Sequence, residues 1–115
     1  MKTTKTYHAN IYVGLQEGYD GIIHSLGFVE DICAAYCDSV GLCVTVTPTT
    51  FVYSHGREPG AIVGLINYPR FPKEPVDIRA YALTLAENLR GNLNQLRVTA
   101  EFTDETVLLE KLEGE

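Results

Sequence analysis

The chain has 115 residues, 45 % hydrophobic and 21 % charged, a balance that excludes a disordered chain and allows one core. A formal net charge of −6 opposes a phosphate-rich partner, and no stretch clusters Lys and Arg with aromatics, so no nucleic-acid partner is expected. No apolar run approaches the roughly 20 residues of a bilayer span. The basic start over residues 1–5 leads into alternating sequence, not a continuous apolar segment, so no membrane partner, no secretory leader and a cytoplasmic location are expected.

The elements follow in chain order. Residues 7–15 alternate, with Tyr7, Ala9, Ile11, Val13 and Leu15 on one side and His8, Asn10, Tyr12 and Gly14 on the other. Period two over this length is a strand with one face in the core. A glycine-bearing loop over 16–21 comes next. Leu26, Val29, Ile32, Cys33, Tyr36 and Val40 then recur at helical steps, which predicts a helix over 26–39 with Ser25 as N-cap and Gly41 as stop. A second strand starts at Leu42, meets Pro48, where a bulge or an edge position is expected, and resumes through Tyr53.

Residues 54–60 read as a polar connection, Ser54-His55-Gly56-Arg57-Glu58-Pro59-Gly60, and 61–68 as a third strand. A proline-spaced linker over 69–75 is stiff. Ile78, Ala82, Leu85, Ala86 and Leu89 predict a second helix over 76–90, with Asp77 at its positive end and Gly91 at its close. A fourth strand spans 96–102, with Leu96, Val98, Ala100 and Phe102 on one face. A short apolar run, Val107-Leu108-Leu109, precedes a frayed end.

This order is a β-α-β-β-α-β domain over residues 1–115: an α+β, ferredoxin-like sandwich, its antiparallel sheet carrying two helices on one face. The uncovered face would hold His8, Asn10, Tyr12, Thr45, Thr47, Arg97, Thr99 and Glu101. Threonines and aromatics outnumber Lys and Glu there, which suits a half-buried sheet and predicts self-association.

No standard catalytic signature occurs. Gly56 and Gly60 bracket four residues, but no Lys-Ser/Thr follows, so this is no phosphate loop. Cys33 and Cys37 share a helix face and read as small buried residues before half a metal site. No metal and no cofactor are expected. The segment 53–60 is the candidate site. Glu58 suits a ribose diol or a cation, Tyr53 stacking or hydrogen bonding, Arg57 a carboxylate, and His55 titration near neutrality. The loop over 18–25 adds Tyr19, Asp20 and His24, and the last strand adds Glu101 and Arg97, a pair that is more often an exposed neighbour pair than a site. A plain hairpin tip explains the 53–60 composition as well.

The topology resembles the trimeric PII-like proteins, which bind nucleotides and related ligands in clefts between subunits. Within that group it resembles the phage-encoded S-adenosylmethionine lyases, and Tyr53, Glu58 and Glu101 match the tyrosine and glutamates that family uses near its substrate. The resemblance covers nearly the whole chain and implies a homotrimer. It also implies a small-molecule ligand, an adenosyl metabolite or a nucleotide. Two alternatives stand beside such an enzyme: a PII-like trimer that binds or sequesters a nucleotide or other small ligand without turnover, and a phage protein that docks a host partner.

Overall fold

The computed structural model describes residues 1–112 and 114. Alternation decides its central strand. β1 (His8–Gly14) turns Ala9, Ile11 and Val13 into the core and His8, Asn10 and Tyr12 to the opposite face. It pairs antiparallel with β3 (Gly56–Ile66) on one side and β4 (Arg97–Phe102) on the other. β2 (Thr45–Tyr53) closes one edge against β3, and β5 (Thr106–Glu110) closes the other against β4, giving the order β2-β3-β1-β4-β5. This is the α+β, ferredoxin-like arrangement with a fifth strand added.

The helices α1 (Leu26–Val40) and α2 (Pro75–Asn92) cover one face of the sheet. Ser25 caps α1, its side-chain oxygen accepting from Phe28 N–H at 3.1 Å, and Gly41 ends it in the left-handed region at φ 73°. Ile11, Val13 and Val63 from the sheet and Val29, Leu85 and Leu89 from the helices are fully buried. Each contributes roughly 1.5–3 kcal/mol relative to an exposed side chain.

Several boundaries differ from the sequence reading. β2 begins at Thr45 and crosses Pro48 without a bulge, Pro48 standing opposite Ala61 in unbroken register. The edge position is what tolerates a proline there. α2 runs through Gly91 to Asn92, with Leu93 as its cap, because Leu89 and Leu93 both bury and extend the apolar stripe. Leu96 is 64 % exposed, outside the core face that Val98, Ala100 and Phe102 form. The run around Leu108 is a strand, its Val107 and Leu109 packed on the core. Cys33 is buried, Cys37 half-buried and Cys43 exposed. The expected fraying falls partly on residues 113 and 115, outside the described residues.

The largest correction concerns residues 54–60. The connection is only Ser54 and His55, with His55 at φ 68°; Gly56, Arg57, Glu58, Pro59 and Gly60 belong to β3, paired with Tyr53 through Thr49.

Candidate functional site

Strand pairing puts Gly56, Glu58 and Gly60 in a row on the uncovered face of β3, opposite Tyr53, Phe51 and Thr49 of β2. Both glycines have a steric reason. A Cβ on Gly56 would lie 2.6 Å from Tyr53 Cε2, and one on Gly60 would lie 2.1 Å from Phe51 Cε2. The two rings therefore fold across the two glycines and flank Glu58 between them. On the next strand, Gly14 stands opposite Gly60, and a Cβ there would meet Gln95 Oε1 at 2.8 Å and Glu58 Oε1 at 3.6 Å. The Glu58 carboxylate thus reaches over bare backbone towards the turn that enters β4.

A cleft of about 300 Å³ opens at this end of the sheet. Gln16, Tyr19, Tyr53, Glu58, Gln95 and Arg97 line it, with Gly18, Asn94 and Leu96. Tyr53 is 44 % exposed and Tyr19 is 93 % exposed. Among the described residues, the Tyr53 hydroxyl and the Glu58 carboxylate have no hydrogen-bond or ion-pair partner. Arg97 donates its Nε to Glu110 at 3.2 Å across β4 and β5.

The loop that carries Tyr19 is held from below. Gln16 and Ile23 form an isolated bridge, Glu17 N–H donates to Ile22 at 2.9 Å, and Gln16 Nε2 donates to the Tyr19 carbonyl at 3.0 Å. Glu17 also accepts from Asn94 Nδ2 at 2.9 Å, and its other oxygen meets His24 Nε2 at 2.7 Å. These bonds from Asn94 and His24 hold the Glu17 carboxyl below its ordinary range. Gln95 Nε2 donates to the Gln16 carbonyl at 2.9 Å, tying the same loop to the turn before β4.

Of the residues singled out in sequence, Tyr53, Glu58, Tyr19 and Arg97 meet in this cleft. His55 forms the hairpin turn and does not line it. Arg57 alternates onto the opposite face of β3 from Glu58. His24 lies behind the loop, against Glu17 and the Phe28 ring at 5.5 Å. Glu101 is four residues along β4 from Arg97, about 13 Å at strand rise, and accepts from Tyr12 Oη at 3.1 Å. Burial and that hydrogen bond push the Tyr12 phenol up. Asn94 and Gln95 escaped the sequence reading, Gln16 was read only as part of the loop over 16–21, and Arg97 was weighed with Glu101 as an addition from the last strand. The signal for them is topological: antiparallel β1 and β4 bring the residues after β1 beside those before β4. Among the described residues, no group of three or more His, Cys, Asp or Glu is placed to hold a metal ion. No helix there is long and apolar enough to cross a membrane.

No family model matches the chain, and no curated protein matches it. Solved structures do. A phage SAM lyase in complex with S-methyl-5'-thioadenosine superposes with a TM-score of 0.83 at 18 % identity, over 100 % of this chain and 97 % of that one. The chain has the fold of a phage SAM lyase. A phage SAM lyase in the apo state agrees, with a TM-score of 0.79 at 19 % identity over 95 % of this chain and 92 % of the other. The ferredoxin-like architecture expected from the strand and helix order is therefore shared along its whole length.

Proposed function

We propose that this protein is a lyase that converts S-adenosylmethionine to methylthioadenosine and homoserine lactone at the Tyr53–Glu58–Tyr19 cleft. The observation that carries the reading is Glu58: an unpartnered carboxylate set between two aromatic rings, in a fold it shares with a SAM lyase solved with methylthioadenosine.

The chemistry asks little of side chains. A carboxylate oxygen of the substrate attacks the methylene carbon bonded to sulfur. A C–O bond forms as the C–S bond breaks, and the bonding pair stays on sulfur. The products are a neutral thioether and a lactone that keeps its ammonium, and no proton moves. The protein's contribution is to fold the substrate into the reactive conformer.

The charge change assigns Glu58 its partner. The sulfonium loses its charge in the step, so an anion held against sulfur would favour the ground state over the transition state. The ammonium keeps its charge throughout, and Glu58 serves better there. Tyr53 and Tyr19 offer faces for the adenine and the cationic substrate.

The reading includes a homotrimer. Ile66 and Leu108 are 54 % and 53 % exposed on the uncovered face, and a neighbouring copy packed there brings Glu101 to the cleft for the ribose diol. The cytoplasm is its expected location.

Incubation of the purified chain with S-adenosylmethionine, followed by chromatography, tests the activity. Methylthioadenosine and homoserine lactone appear together in equal amounts if it holds. Product no faster than the spontaneous background ends the lyase reading. A raised melting temperature without turnover would instead mark a sequestering protein.

A further inference from the structure

Among the described residues, two charged side chains line the cleft, and they are of opposite sign: Glu58 on β3 and Arg97 on β4. β1 runs between these strands, and its residue at that level is Gly14, which has no side chain to fill the gap. Two interstrand spacings, about 10 Å, separate the strands that carry the acid and the base. The result is a bay with an anion on one wall and a cation on the other, and the Gln95 carboxamide lies over the Gly14 backbone between them.

We propose that Arg97 is the residue that recognises the α-carboxylate of the ligand, so that the cleft selects the zwitterionic end of an amino acid. This rests on the adenosyl-sulfonium reading given above and names which group of the substrate the second charge receives.

Three observations support it. First, Arg97 spends only Nε on Glu110; its two terminal nitrogens have no partner among the described residues. A guanidinium presents them as a fork that suits a carboxylate. Second, the Arg97–Glu110 pair is 64 % and 55 % exposed. Such exposed pairs are worth about 0–1 kcal/mol, so an incoming carboxylate competes with Glu110 at little cost. Third, the wall opposite is Glu58. One cation facing one carboxylate gives no net positive field, which excludes a polyphosphate as the preferred ligand. The charge pattern fits a molecule with one carboxylate and one ammonium.

The assignment also separates Arg97 from Arg57. Arg57, the arginine nearest Glu58 in sequence, lies on the other face of β3, while Arg97 reaches the cleft from a different strand. Arg97 holds the carboxylate for binding and orientation: that group loses its charge as the lactone forms, so a cation against it favours the bound substrate over the transition state. Arg97 is thus a substrate-binding residue that sets the reactive conformer.

The test uses two unreactive probes: the aza analogue of S-adenosylmethionine, with a protonated nitrogen in place of the sulfonium, and the same compound without its carboxylate. Binding of both to the wild type, Arg97→Gln and Arg97→Lys is measured by calorimetry. The wild type prefers the carboxylate-bearing probe by about tenfold or more. Arg97→Gln reduces that preference to within about twofold while binding the decarboxylated probe as the wild type does, and Arg97→Lys restores part of it. An unchanged preference in Arg97→Gln overturns the proposal. So does equal weakening for both probes, or failure of the wild type to bind either. Turnover of S-adenosylmethionine by the wild type is scored separately. Arg97-dependent selectivity without turnover removes the lyase reading and keeps the carboxylate site. Turnover with selectivity that ignores Arg97 removes the carboxylate site alone.

Discussion

Leu15 donates its N–H to the Pro59 carbonyl at 3.1 Å, and Pro59 has no N–H to return. The Leu15 carbonyl accepts instead from His24 N–H at 2.8 Å. A proline inside a strand thereby frees the acceptor that turns the Tyr19 loop back onto the hairpin. Its carbonyl points towards β1, so its missing donor lies on that side and the β2–β3 ladder is unbroken through Pro59. Replacing Pro59 with Ala supplies a donor that competes for Leu15. The expected result is faster hydrogen exchange at the His24 amide, with the amides of β1 residues paired to β3 unchanged. Unaltered exchange at His24 would show that the loop does not depend on the proline.

The same residues explain what the sequence could and could not disclose. Residues 7–15 alternate around one strand, and burial follows that alternation from Tyr7 to Val13, until Gly14 is buried too. Gly56, Pro59 and Gly60 have turn composition, yet they are strand residues for reasons that lie on the neighbouring strands. Two glycines make room for rings on β2, and a proline gives up a bond that His24 supplies. β5 escaped notice because it is short and at an edge, its packing shown only by Val107 and Leu109. Tyr53, Glu58 and Tyr19 were legible from the chemistry of a loop-like segment. Gln95 and Gln16, 79 residues apart, were not, because only the β1–β4 pairing brings them together.

Glu58 separates function from stability. It has no hydrogen-bond or ion-pair partner among the described residues, so Glu58→Gln should leave the melting temperature unchanged, its stability within about 0.5 kcal/mol of wild type. Under the proposed activity, kcat/KM falls about 30- to 150-fold, equivalent to the roughly 2–3 kcal/mol that a hydrogen bond between charged groups contributes at a half-buried site. Steady-state kinetics with matched thermal melts checks both. Wild-type activity in the variant would take Glu58 out of the site.

Cys33 predicts an alkaline limit to stability. The thiol is 3 % exposed, and burial, with smaller contributions from Cys37 and Glu30, pushes it from 9.0 to about 12. The folded state therefore holds this proton more tightly than the unfolded chain. That stability is fully present below pH 9 and declines as pH rises from about 9 to about 12. Phenols raised in the same way, Tyr36 among them, steepen the decline. Urea melts at stepped pH should show a shallower alkaline slope for Cys33→Ala than for the wild type, after a pH-independent loss of about 1 kcal/mol from the smaller side chain. Parallel slopes would mean that the thiol is not what titrates. A thiol reagent at neutral pH should modify exposed Cys43 first and Cys33 only on unfolding.

Glu101 gives the sharpest test of the oligomer. Within one chain it lies about 13 Å along β4 from the cleft and is bonded to Tyr12, so under the proposed trimer it would serve Glu58 from a second copy. Glu58→Gln and Glu101→Gln should each be strongly impaired alone. Mixed after unfolding and refolded together, they should regain activity, because some interfaces then pair an intact Glu58 with an intact Glu101. For random assembly into a closed ring with one site per interface, about a quarter of the sites are intact. Recovery near that fraction, with light scattering at the mass of three chains, supports a shared site. No recovery from a mixture that does form mixed trimers would confine the chemistry to a single chain. The 300 Å³ cleft would then have to work without Glu101.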